Sequence, residues 1–178
     1  MALSDLVPSL RAALLPALFL SAAAFVAPAA AQTAAAPASE TRSTHDDWTV
    51  RCKGAGDKRE CEAVQTLQPA DGKGILAHVA VRAEKGGLVR LITQVPPGVW
   101  LPAHVTLKVA GVPDVVLTYK RCGQYCIAST ELKAEEITAL KASAGVGDLM
   151  FEDGSRHPII LPLSFKGLGV ALEASLKG

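Results

Sequence analysis

The chain has 178 residues, 49% of them hydrophobic, and carries 18 Lys and Arg against 17 Asp and Glu for a formal charge of +1. That is one domain's worth of sequence, with enough apolar side chains for a core of its own. Acids and bases interleave and aromatics make up only 4%, which excludes the basic stripe and stacking platform of a nucleic-acid binder.

The N-terminus reads as an export signal. Arg11 ends the n-region, Ala12 to Val26 is an apolar run broken only by Pro16 and Ser21, and Ala29-Ala30-Ala31 follows Pro28. These are the parts of a signal peptide over residues 1–31, cleaved to leave Gln32 first. A retained anchor is the competing reading, but a spanning helix takes ~20 apolar residues and this alanine-rich run is at the short end. No cysteine ends the run for lipid attachment, and the best later segment, Leu88 to Leu101, holds Arg90 and two prolines. No stable membrane span is therefore expected once the signal is removed. Residues 32–44 (QTAAAPASETRST) have nothing to bury and read as a flexible tether, leaving 45–178 as a single domain.

That domain reads as short strands separated by turn signals. Trp48, Val50 and Cys52 alternate with Thr49 and Arg51; Glu62 to Leu67 follows and stops at Pro69. Ile75, Ala77, Val79, Val81 and Ala83 face one way, with His78, Arg82 and Glu84 on the other. Lys85-Gly86-Gly87 turns the chain into Leu88 to Val95, a hairpin that Pro96-Pro97-Gly98 ends. Val105 to Val109 is the next strand, and Gly111 to Pro113 leads into Val115 to Cys122. Helical spacing appears over Leu132–Ser143, with Glu135 and Glu136 near its start and Lys141 near its end to complement the dipole. Leu149–Glu152 and Ile159–Phe165 pair through Asp153-Gly154, and Leu168–Leu176 forms a last short helix after Gly167. The pattern predicts a mainly β protein: a sandwich or barrel-like antiparallel domain with one or two short helices.

Cys52, Cys61, Cys122 and Cys126 are an even set in an exported chain, and so read as disulfides. Four cysteines allow three connectivities, which sequence leaves open. Turn chemistry favours the local pairs: Gly54, Gly56 and Asp57 lie between the first two, and Gly123 lies inside the second. Cross-pairing, such as Cys52 with Cys126, stays open if those strands are neighbours. Zinc is disfavoured by the eight-residue gap between Cys52 and Cys61. A redox role for Cys122-x3-Cys126 is disfavoured by the third intervening residue and the strand-like flanks.

With these pieces in order, the chain resembles the invasion-associated locus B family of exported bacterial proteins over Asp47 to Leu176. The resemblance rests on Trp48-Thr-Val-Arg-Cys52 with Cys61, on Pro96-Pro-Gly-Val-x-Leu101, on Cys122-x3-Cys126-x-Ala128, and on Ser164-Phe-Lys-Gly167-x3-Ala171-Leu172. Tyr125 stands where a glycine is expected, and Leu168 where an aromatic is. The resemblance implies a periplasmic, outer-surface or secreted β-rich protein of a Gram-negative envelope, linked to host-cell interaction, with an envelope or host protein as partner. It brings no catalytic residues.

A direct search for chemistry finds none. His45 beside Asp46 and Asp47 lies at the tether boundary; His78 is on a polar strand face; His104 and His157 are in turns. No two share the spacing of a metal site. Ser129, Ser143, Ser155 and Ser164 lack a nucleophile motif, Glu135-Glu136 diverge on a helix, and Lys120-Arg121 reads as a solvated strand end. The expectation is a protein that is not an enzyme, has no cofactor, metal or catalytic residues, and acts through protein or surface interactions. A periplasmic carrier of small ligands, with an apolar pocket inside the barrel, is the alternative.

Overall fold

The computed structural model describes residues 40–84 and 86–177. Residues 1–31, read as a signal peptide, and residues 32–39 of the expected tether lie outside the described residues. The elements in chain order are β1 (Glu40–His45), β2 (Trp48–Lys53), β3 (Glu60–Leu67), β4 (Ala77–Ala83), β5 (Val89–Val95), β6 (Val105–Val109), β7 (Val112–Cys122), β8 (Cys126–Leu132), α1 (Ala134–Ala142), β9 (Val146–Glu152), β10 (Pro158–Ser164) and α2 (Leu168–Leu176).

The strands form one antiparallel sheet of ten, ordered β1-β2-β3-β4-β5-β8-β7-β6-β9-β10, which curls into a half-barrel. Period-two alternation puts one face of every central strand inside. Val50 and Cys52, Ala77, Val79 and Val81, Leu91 and Val95, Leu107, Leu117, Leu149 and Leu163 are all buried. One helix fills the remaining space: α2 turns Leu168, Ala171 and Leu172 inward and packs on β1 to β4 and on α1. Leu168 is 1% exposed, so the branched side chain fills the place where an aromatic was expected.

Several boundaries differ from the sequence reading. Glu40–Thr44, assigned to the tether, pairs residue by residue with Thr49–Lys53 as β1. Its side chains are exposed, so no hydrophobic pattern announces it; backbone hydrogen bonds to β2 hold it. Leu132 ends β8 and is buried there, so the first helix starts at Ala134. Within that helix Glu136 turns back, and its Oε2 accepts the Lys133 N–H at 2.8 Å, satisfying a donor the helix start leaves free.

The disulfides join Cys52 to Cys61 and Cys122 to Cys126. Each links directly opposed residues of adjacent strands. Strand directions put them at opposite ends of the half-barrel: the first where β2 finishes and β3 begins, the second where β7 finishes and β8 begins.

Candidate interaction surface

The edges of the sheet approach each other where β10 ends. There Gln65 of β3, 8% exposed, donates from Nε2 to the carbonyls of Ser164 (3.0 Å) and Asp47 (3.1 Å). Its Oε1 accepts the Ser164 N–H at 3.1 Å. The side-chain amide thus offers Ser164 the donor and acceptor that a neighbouring strand's backbone would supply. Trp48, 1% exposed, donates its indole N–H to the same Ser164 carbonyl at 2.8 Å. The Ser164 hydroxyl donates to Asp47 Oδ2 at 2.6 Å and accepts the Lys166 N–H at 3.2 Å. Gly167 then takes a φ of +86°, and a Cβ there would collide with the His45 carbonyl oxygen. Glycine lets the chain turn into α2 this close to β1. Two separate sequence motifs, around Trp48 and over Ser164–Gly167, meet in this seam, and their work is structural.

On the outer face, Arg51, Glu62, Arg82, Arg90 and Glu131 stand opposite one another across β2, β3, β4, β5 and β8. Arg51 pairs with Glu62 at 2.6 Å, and Arg90 with Glu131 at 2.9 Å. Arg82 and Arg90 are like charges directly opposed, and Glu84 sits between them at 3.2 and 2.8 Å. The hydrogen bond from Arg90 holds the Glu84 carboxyl below its ordinary range. Beside this ladder, at the Cys52–Cys61 end, lies a wide cleft of about 840 Å³ lined by Asp57, Lys58, Arg59, Glu60, Arg82 and Glu84 among others.

The other end holds a small apolar pocket. The Pro96-Pro97-Gly98 turn follows β5, and the chain returns to bond Trp100 N–H to the Glu152 carbonyl at 2.9 Å. Leu76, Pro97, Val99, Phe151, Ile159 and Leu161 surround a cavity of about 120 Å³. Ile75 and Leu101, 42% and 46% exposed, lie in the same loops. Arg156 stacks over Trp100 at 4.5 Å, a cation–π contact at the rim. The sequence placed Ile75 on the inner face of a strand; β4 starts at Ala77, and Ile75 is exposed in the loop before it.

The residues weighed for chemistry stay apart. His45 closes β1 beside Ser43; His78 shares a hydrogen bond of 2.9 Å with Thr66 across β3 and β4. Burial first, and nearby Arg51 second, hold His78 below its ordinary value of 6.5. His104 has φ +59°, and His157 lies against Asp153 in the β9–β10 turn. Among the described residues no group of three or more His, Cys, Asp or Glu could hold a metal ion. Ser143 and Ser155 bond to nearby loop and helix groups, Ser129 is buried in β8, and Lys120-Arg121 coincides with a register shift in β7. Sequence reasoning missed Gln65, whose role depends on a partner 99 residues away.

Comparison with known proteins agrees with this architecture. The family model described as invasion associated locus B (IalB) protein matches residues 48–176. The crystal structure of invasion associated protein B from Bartonella henselae is similar with a TM-score of 0.67 at 18% identity, over 77% of this chain and 96% of that one. At that identity the likeness is one of fold. No curated protein matches the chain.

Proposed function

The chain belongs to the invasion associated locus B family, and from that premise we propose that it is an exported, non-catalytic protein of the bacterial envelope. It works there through contacts with an envelope or host protein, in the periplasm, at the outer surface or after secretion. Both disulfides support an oxidising compartment, and the signal-like residues 1–31 supply the route. The observation that carries the interaction role is the small apolar pocket at one end of the half-barrel. Exposed Ile75 and Leu101 there accompany a cavity sized for one side chain.

The carrier reading fits less well. Ligand pockets are mostly apolar and run to roughly 300–1,000 Å³. Here the apolar cavity is about 120 Å³, and the larger cleft is lined by charge. Photo-cross-linking from Ile75 and Leu101 in intact cells, with Glu135 on α1 as a control position, tests the proposal. A specific adduct from the two apolar positions, lost in an Ile75→Glu, Leu101→Glu double variant that is still exported and folded, supports it. Adducts equal at all three positions, or a small molecule retained in native mass spectrometry of protein from its own envelope, would replace it.

A further inference from the structure

The two edges of the sheet are treated differently. Gly145 accepts the Phe165 N–H, so alternate residues Ile159, Leu161 and Leu163 bond to β9, and residues 158, 160, 162 and 164 turn their backbone outward. Pro158 and Pro162 have no N–H to offer, and the Ser164 N–H is taken by Gln65. The β10 edge is left with Ile160 as its one outward N–H donor, a protected edge.

Among the described residues, the β1 edge has no such protection. β1 and β2 are joined by the two-residue turn Asp46-Asp47, with His45 opposite Trp48. Residues closing such a turn exchange both backbone hydrogen bonds, so His45, Ser43 and Thr41 bond to β2. Thr44, Arg42 and Glu40 therefore turn N–H and C=O to an edge that no described strand pairs. The strand holds no proline, lysine or bulge across its 6 residues.

We propose that this edge pairs with the same edge of a second copy of the chain, antiparallel about a two-fold axis through Arg42. A two-fold perpendicular to the sheet keeps each copy's outer face on one side, so opposed residues must share a face. Opposing Arg42 to its own copy sets Glu40 against Thr44, and all three outward N–H groups and all three outward C=O groups of each strand are then paired. Shifting by two residues in either direction leaves some of these described groups unpaired. The opposed arginines repel, but each is bonded to its own Glu40 at 2.6 Å, and the Glu40 of the other copy lies on the diagonal. The Glu40–Arg42 cluster across the axis is neutral and self-complementary.

Sedimentation of the protein purified from cells expressing the full chain, up to about 1 mM, should show a monomer–dimer equilibrium. Arg42→Pro removes the N–H at the axis while sparing the bonds through Thr41, Ser43 and His45, and should abolish the dimer with unchanged circular dichroism. Cross-linking fixes the register if that variant fails to fold. Arg42→Cys sits on the axis and should link two chains, whereas Thr44→Cys faces Glu40 of the other copy and should link at least tenfold less. A monomer at every concentration, a dimer that survives Arg42→Pro, or equal linking by the two cysteine variants overturns the proposal. So does a chain that is monomeric alone and links through residue 42 only to a different protein.

Discussion

The seam around Ser164 and the ladder on the outer face are both networks of polar side chains that cross between strands, and they differ in what surrounds them. Gln65 and Trp48 are 8% and 1% exposed, while the ladder's side chains keep between 21% and 52% of their surface in water. A buried group that loses its partner bears its full desolvation cost, whereas an exposed ion pair exchanges its partner for water and salt. The seam also joins the end of β10 to β2 and β3, beside a backbone bond of 3.4 Å from the Asp47 N–H to the Lys166 carbonyl. The ladder lies on strands that their own main chains already pair.

The comparison breaks most sharply at Trp48. Trp48→Ala should cost about 3–5 kcal/mol in urea unfolding, from lost burial and the cavity left behind; a loss under about 1 kcal/mol would mean that the seam is dispensable. Gln65→Leu comes next, at about 2–3 kcal/mol. It keeps the volume but leaves the Ser164 N–H and the Asp47 carbonyl without Gln65. Trp48 still serves the Ser164 carbonyl, which is why the effect is smaller.

On the ladder, Glu84→Gln should change stability at neutral pH by under about 1 kcal/mol, and by less in high salt. Its carboxyl titrates lower in the folded chain than its ordinary 4.5, chiefly through Arg90. Its contribution is therefore present above that value and is lost as pH falls through the lower folded value. The wild type should lose stability over that acid window and the variant should lose less; parallel acid-unfolding curves would contradict the assignment. The smallest effect belongs to Tyr119→Phe. Burial pushes the Tyr119 hydroxyl up to about 12, and its oxygen is buried with no hydrogen-bond partner among the described residues. Removing it should leave stability within about 0.5 kcal/mol or raise it slightly; a substantial loss would reveal a partner for that oxygen.

The strand pattern was legible because alternation is local: Val79 and Val81 against His78 and Arg82 declare a half-buried strand without any neighbour. The closing helix was legible for the same reason, with Leu168, Ala171, Leu172 and Leu176 on one face and Gly167 before them. β1 was not, because ETRSTH carries no apolar alternation and becomes a strand only through β2 beside it. For the candidate surface, the sequence singled out Pro96 to Leu101, but it set Ile75 inside a strand and passed over Leu76, and both join the surface through the β3–β4 loop. Neither the Ser164 motif nor Trp48 signals the other.

By itself, then, the sequence carried the β-rich class, most of the strand and helix spans near the core, and the four-cysteine set. These follow from residue type and short-range spacing. Only the tertiary structure decided the order of strands in the sheet, the pairing of Cys52 with Cys61 and Cys122 with Cys126, and the use of Gln65 as a substitute strand. It also left one edge blocked by prolines and the other unpaired among the described residues. Those features depend on which distant segments lie side by side, and backbone hydrogen bonds, being the same for every residue, leave no trace of their partners in the sequence.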